Sequence, residues 1–468
     1  MCVPRPLALT RACLLRRCMI YIKSEPPMTD EPDVQRPTGK KLRSLLPIFA
    51  IVVVDTASAG LILPLLPFYA QDFGATPLTI GFLFASFAIC EFLAGPILGN
   101  ASDRSGRKRL LMVSQIGTCA SFLLLAVSPN LLVVFLARIL GGLSAGNVAI
   151  AIAYVADRSE AKNRRQAIGF VSAAMGLGTM VGPALGGALA PIGLAIPFLV
   201  AAGLSLASIV ATSTLLPADD QASLSRLDRY AYTNGKRRTN QGWFGREDRD
   251  DDAIGAAPFC VTKFCREIAD LIALPNAKAL LTALAILYLA FSLFASQLAL
   301  VLQARYQWGG EPFGPTEIGL LFTAAGATNI LVQVVLVRAI RKTFHERTLA
   351  TASFALLAIG FALIGFGDTI PGLAMGVFTA ASGLALARPT LGAALTLIVP
   401  ASSQGVAMGI AQSLASLINI IGPIVGGLLI KQQSYIGWTL VLVALALTGL
   451  AAVGLLSLFP KKSDPEER

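Results

Sequence analysis

From residue 46 onward the chain is a succession of apolar runs, separated by short polar stretches that hold nearly all of its Lys and Arg. Runs of about 20 apolar residues match a helix crossing a hydrocarbon core of roughly 30 Å. Twelve are predicted, at 46–69, 77–98, 110–128, 131–156, 166–189, 194–216, 279–302, 317–337, 348–366, 371–397, 406–430 and 437–459. Six precede and six follow a polar stretch at 217–278. The pattern predicts an all-α membrane protein of twelve transmembrane helices in two six-helix halves, 46–216 and 279–460. Outside them lie an extension at 1–45, the central loop at 217–278 and a tail at 461–468.

One element inside these runs recurs. Gly178-x-x-x-Gly182-Pro183-x-x-Gly186-Gly187 in the fifth run returns 240 residues later as Gly422-Pro423-x-x-Gly426-Gly427 in the eleventh. Ala167 pairs with Ala407 and Gly169 with Gly409 at the same offset, so the repeat extends upstream. Membrane helices tolerate Gly and Pro where neighbours re-satisfy the backbone, and small residues let helices approach closely. Each copy alone is explained by ordinary small-residue packing. Together they predict bent, tightly packed helices at equivalent places in a duplicated, pseudo-symmetric architecture.

Composition agrees with a membrane protein: 55% of the 468 residues are hydrophobic, 14% are charged and the mean hydropathy is +0.69. The basic residues set the orientation. Nine lie in the N-terminal segment, four at 99–109, four at 157–165, ten in the central loop, four at 338–347 and three at the C-terminus. On the opposite side stand only Arg305 and Lys431, so both termini and the central loop are expected in the cytoplasm. The net charge of +11 therefore follows topology; its scatter over separate loops is no nucleic-acid footprint. Arg11, Arg16 and Arg17 interrupt the first residues, which argues against a cleaved signal peptide and for a cytoplasmic extension, or for initiation at Met28. The central loop reads as a solvated linker with basic (Lys236-Arg-Arg238) and acidic (Glu247 to Asp252) clusters. Phe264, Ile268, Leu271 and Ile272 share one helical face there, predicting a helix on the membrane surface.

Glu317 stands at the first position of the eighth run, and four charges lie deeper inside runs: Asp55, Glu91, Arg138 and Arg388. An ionisable group at the centre of a bilayer costs about 2.5–3.5 kcal/mol on insertion scales, so it faces a cavity or a partner. Asp55 and Glu91 sit at similar depth, ~14 and ~12 Å from the cytoplasmic ends of their runs. Two nearby carboxylates in low dielectric do not both ionise easily, which suits proton carriage; the alternative is that each ties down a buried hydroxyl or Arg. Arg138 lies further out, so a direct bond to Asp55 is not expected. Arg388 lies near the depth of the acids; it either faces the cavity, where it biases the ionisation of Asp55 or Glu91 or meets an anionic group of the substrate, or is pinned to carbonyls opened by Pro389. In the second half, Gln297, Asn329, Gln333, Gln412 and Asn419 are candidates to face a substrate beside walls such as Phe84 and Phe87. Such amides more often bond neighbouring helices.

Between the second and third runs stands Gly99-Asn-Ala-Ser-Asp103-Arg104-Ser-Gly106-Arg107-Lys108-Arg109. Gly99 and Gly106 are expected to allow a tight turn, with Asp103 accepting from helix N-terminal amides. This stretch resembles the signature loop of the major facilitator superfamily, Gly-x-x-x-Asp-Arg-x-Gly-Arg-Lys. The Gly-Pro repeat is similar to that superfamily's antiporter motif, and Arg138-Ile-Leu-Gly-Gly142-Leu-Ser-Ala-Gly146 gives a third match. The resemblance covers about residues 45–460. Asp55 placed nine residues before Pro64, with Pro67 following, resembles the twelve-span drug:H+ antiporters, including the tetracycline/H+ antiporters.

The resemblance implies a major facilitator fold and a role for each matched residue. Arg138 would be linked to proton coupling, beside the acids Asp55 and Glu91 already read as proton carriers. Gly99, Asp103, Arg104, Gly106 and Arg107 would form a cytoplasmic gate, with Asp157 as partner of a basic residue. Gly178, Gly182, Pro183, Gly186, Gly187, Gly422 and Pro423 would form the bend used when the halves rock. The second copy of the loop, Ala339 to Arg347, lacks the Gly and Asp. Span nine has no acid, and span eight carries Asn329 where tetracycline antiporters tend to have His, pointing to a different lipophilic solute.

His345 is the only histidine and lies in a loop, the seven Cys form no disulfide framework, and no metal-ligand spacing or phosphate loop is present. An enzyme, an ATP-driven pump and any cofactor are not expected. The sequence predicts a monomeric, multi-pass protein of a bacterial inner membrane. It would export a small lipophilic or amphiphilic compound in exchange for protons, without nucleic-acid partners. The alternatives are an H+ symporter or facilitator and, further off, a non-transporting receptor or scaffold acting through 217–278.

Overall fold

A computed structural model describes residues 46–159, 164–217, 271, 273, 274, 276–333, 346–399 and 404–454; the side chains of 100, 103, 104, 164–166 and 404–406 lie outside the description. Also outside it are the N-terminal extension, nearly all of the central loop with its expected surface helix, His345 and the tail; Leu271 is described and is buried.

The described chain is helical. In order it forms α1 (Leu46–Ile62), α2 (Leu66–Asp72), α3 (Pro77–Ser105), α4 (Arg107–Ala126), α5 (Leu131–Leu143), α6 (Asn147–Arg158), α7 (Arg164–Leu189) and α8 (Ala195–Leu215). Then follow α9 (Ala277–Arg305), α10 (Pro315–Leu331), α11 (Glu346–Phe366), α12 (Ile370–Leu397), α13 (Gln404–Lys431) and α14 (Tyr435–Gly454). Among the described residues ten helical spans are long and apolar enough to cross a membrane, eleven if α1 and α2 are one bent span. α10, with 17 described residues, falls below that length.

Two apolar runs are broken. α1 and α2 meet at 43° around Pro64, which offers no N–H to continue the ladder. The fourth run breaks at Ser144–Gly146, and the third run repairs it: Ser114 Oγ donates to the Ser144 carbonyl at 2.5 Å and accepts from the Gly146 N–H at 3.3 Å. With no water in hydrocarbon, a freed backbone group needs such a partner.

α7 and α13, which carry the two Gly-Pro copies, run through Pro183 and Pro423 as single helices. Their glycines meet backbone. A Cβ on Gly182 would stand 2.4 Å from the Ala57 carbonyl oxygen, and one on Gly187 2.8 Å from the Gly319 Cα. In the other copy a Cβ on Gly422 would reach Ser292 and one on Gly427 the Pro77 carbonyl. Thus α7 packs against α1 and α10 as α13 packs against α9 and α3. The 240-residue offset in sequence is matched by a correspondence of packing partners.

The signature stretch differs from expectation. α3 continues to Ser105, so Gly99 lies within the helix with open space around it and no turn to serve. The reversal is made at Gly106 alone, whose φ of 96° is open to glycine. A short hairpin at 307–312, turned by Gly309 and Gly310 with positive φ, follows α9.

Candidate functional site

Two adjoining cavities open among the helices. The larger, about 430 Å3, is lined by Asp55, Glu91 and Arg138 from three different helices, together with Thr118, Ser121, Asn147, Asn419, Phe84 and Phe87. The smaller, about 230 Å3, is lined mainly by apolar and aromatic groups including Phe294, Phe322 and Phe361, with Thr179, Asn329 and Arg388 as its polar residues. Leu63, Phe291 and Ala295 line both.

Each charge is held differently. Gln115, fully buried on α4, donates from Nε2 to the Asp55 carboxylate at 3.2 Å and to Ser208 Oγ at 2.8 Å. Ser208 on α8 joins Asp55 in this network through Gln115. A carboxylate on α1 is therefore positioned by two further helices. Arg138 is buried, with its guanidinium carbon 4.2 Å from the Phe87 ring centroid and 6.0 Å from that of Phe84. Glu91 stands in its electrostatic field. The Arg138 Nε has no hydrogen-bond partner among the described residues. A cation over aromatic faces keeps part of the stabilisation that water would give, while its N–H groups remain free to bind.

Of the five amides singled out from the sequence, Asn419 lines the larger cavity and Asn329 the smaller. Gln333 donates to the Asn329 Oδ1 at 2.6 Å and lines neither. Gln297 is fully buried and donates to the Pro423 carbonyl at 3.2 Å, making it a tie between α9 and α13 that lines neither cavity itself. Gln412 also lines neither. Arg388 lines the smaller cavity, against the Phe291 ring at 4.6 Å. Neither expected contact, with Asp55 or with Glu91, is made by that guanidinium among the described residues.

At one end of the bundle Arg107 Nε lies 2.9 Å from Asp157 Oδ2, and Arg107 also donates to Ser102 Oγ at 3.0 Å. Lys108 Nζ donates to the Ser213 and Leu216 carbonyls, binding α4 to the end of α8. The side chains of Asp103 and Arg104 lie outside the description. At the other end Arg305 pairs with Asp368 at 3.0 Å, and the Tyr306 hydroxyl bonds the Ile364 and Gly367 carbonyls.

Gln115 and Ser208 were missed by the sequence reading. The signal exists, since Gln115 is the one amide of the run 110–128.

A helical bundle around a partly charged cavity, stitched by a duplicated Gly-Pro element, is the architecture of a membrane transporter. The model of the Major Facilitator Superfamily matches residues 48–312 and 280–468, and the chain belongs to that family of multi-pass membrane transporters. Its curated relatives include a class C tetracycline resistance protein of Escherichia coli, 27% identical over 82% of this chain and 89% of that protein. Multidrug resistance protein 2 of Bacillus subtilis is 27% identical over 81% and 86%. Quinolone resistance protein NorA of Staphylococcus aureus is 27% identical over 79% and 85%. Among solved structures, the human organic anion transporter MFSD10 (TETRAN) superposes with a TM-score of 0.60 at 22% identity, covering 90% of this chain and all of that one. A peptide transporter POT in complex with sulfate superposes with 0.64 at 16% identity, covering 88% and 93%.

Proposed function

We propose that this protein is a proton-coupled exporter of small lipophilic or amphiphilic compounds, working by alternating access in a bacterial inner membrane as a monomer. One observation carries the proposal: three ionisable groups, Asp55, Glu91 and Arg138, converge on one cavity that adjoins an aromatic cavity through Phe291. Low dielectric makes each charge there expensive, and proton uptake by a carboxylate changes which packing of the helices costs least. The drug-resistance names of the relatives support an exported, drug-like solute.

In this proposal the chain spans the membrane twelve times, with both termini and the loop at 217–278 in the cytoplasm. The halves 46–216 and 279–460 rock about the close contacts of α7 with α10 and α13 with α3. Asp55 and Glu91 carry the proton, Gln115 and Ser208 orient Asp55, and Arg138 biases Glu91. The ion pair of Arg107 with Asp157 contributes to the cytoplasmic gate, together with Gly106, Asp103 and Arg104. The cavity containing Phe291, Phe294 and Phe361 receives the apolar body of the solute.

The test uses energised inside-out vesicles and a panel of lipophilic cations, zwitterions, anions and neutral compounds. An exporter of this kind makes the acidified lumen recover when its solute is added. No recovery with any compound, alongside correct insertion, would remove proton-coupled efflux and leave a symporter or facilitator.

A further inference from the structure

The guanidinium of Arg388 stands out from every other charge inside the bundle. It lies on α12 next to Pro389 and projects into the smaller cavity, whose other lining is almost wholly hydrocarbon and aromatic. Its described partners are the face of Phe291, 4.6 Å away, and the Tyr288 phenol, which acts on it electrostatically; no carboxylate, hydroxyl or carbonyl accepts a hydrogen bond from it among the described residues. By contrast Arg138 has Glu91 in its field, and Arg107 and Arg305 have acid partners.

A cation held in an apolar cavity without a counter-charge loses hydration that one aromatic face replaces only in part. Guanidinium presents a planar fork of donors that matches two oxygens of one acid group. The walls around it, Phe294, Phe322 and Phe361, suit a flat apolar body. The sole neighbouring amide, Asn329, can add one polar contact.

We infer that Arg388 is the specificity-determining residue of the solute cavity, and that the ligand it selects is an amphiphilic organic anion. An acid group of that ligand, a carboxylate or sulfonate, docks on the fork while its aromatic body lies among the phenylalanines. The inference rests on the export reading for its direction, since binding alone does not set one. It adds a consequence: exchanging one monoanion outward for one proton inward moves two positive charges inward, so that exchange is driven by membrane potential as well as by the pH difference.

The test compares 1-naphthoate with its neutral isostere 1-naphthamide, binding each to purified full-length protein in lipid nanodiscs. The expected result is naphthoate binding about tenfold or more tighter than naphthamide to the wild type. That preference disappears in Arg388→Gln, with naphthamide binding kept as the sign of an intact cavity, and survives in part in Arg388→Lys. Equal binding of the two by the wild type, no naphthoate binding, or loss of both ligands together in Arg388→Gln with Arg388→Lys equally inactive would overturn the inference. Vesicle flux separates it from the export reading. Arg388-dependent naphthoate binding without proton flux keeps the ligand class and removes efflux. Proton flux with naphthamide but not naphthoate keeps efflux and removes the ligand class.

Discussion

The two cavities share Phe291 yet treat charge in opposite ways. In the larger, Asp55 is held by Gln115, which also bonds Ser208 on a third helix, and Arg138 has aromatic faces and an acid in its field. In the smaller, a single cation stands among hydrocarbon. A charge supported by movable neighbours on several helices can be gained or lost as those helices shift. A charge left without a counter-ion instead waits for one from outside. Under the proposed function the first cavity couples and the second recognises the solute, and each assignment can be broken separately.

The largest effect is expected at the carboxylate. Asp55→Asn should reduce proton-driven transport about 100-fold or more in vesicle flux, with little change in ligand binding. A mutant that binds less well but still couples would reverse the assignment of the two cavities. Next comes the scaffold on which both depend. Gly182→Leu puts a side chain where the Ala57 carbonyl already lies within 2.4 Å of a Cβ, so folded yield and melting temperature should fall sharply, whereas Gly95→Leu, with nothing within 4 Å, should be tolerated.

Phe291→Ala sharpens the comparison from the shared wall. It should raise KM about tenfold while leaving the proton stoichiometry unchanged. Gln115→Leu should lower proton-driven flux several-fold without altering ligand affinity, because it frees Asp55 from one of its ties and touches no lining of the smaller cavity. The smallest effect belongs to Asp368→Asn. Its carboxylate is 86% exposed, so loss of its pair with Arg305 should cost no more than about 1 kcal/mol in thermal unfolding.

Much of this frame was legible in the sequence, since run length alone marks a membrane helix. The breaks at Pro64 and at Ser144–Gly146 were not, because hydropathy stays high through them, and at Ser144–Gly146 the backbone is repaired from another run. The signature glycines divide for a similar reason. Gly106 has a positive φ that only the fold displays, while Gly99, equal to it in sequence, is an ordinary helical position. Intramembrane charges pointed to the larger cavity because their cost demands a cavity or partner. Amides gave a weaker signal: Gln297 and Asn419 look alike in sequence, yet one ties two helices and the other lines a wall. Depth alone placed Arg388 near the acids; the ring of Phe291 and the helix positions put it in a different cavity.

Whether Asp55 couples or merely supports is decided by comparing two fluxes of the same variant. Asp55→Asn, reconstituted alone, would be measured for proton-driven accumulation and for solute exchange at equal concentrations, using the compound that draws the largest proton flux from the wild type. If Asp55 carries the proton, accumulation is lost while exchange stays within about twofold of the wild type. Loss of both together, or survival of both, would contradict the division between a coupling cavity and a recognition cavity.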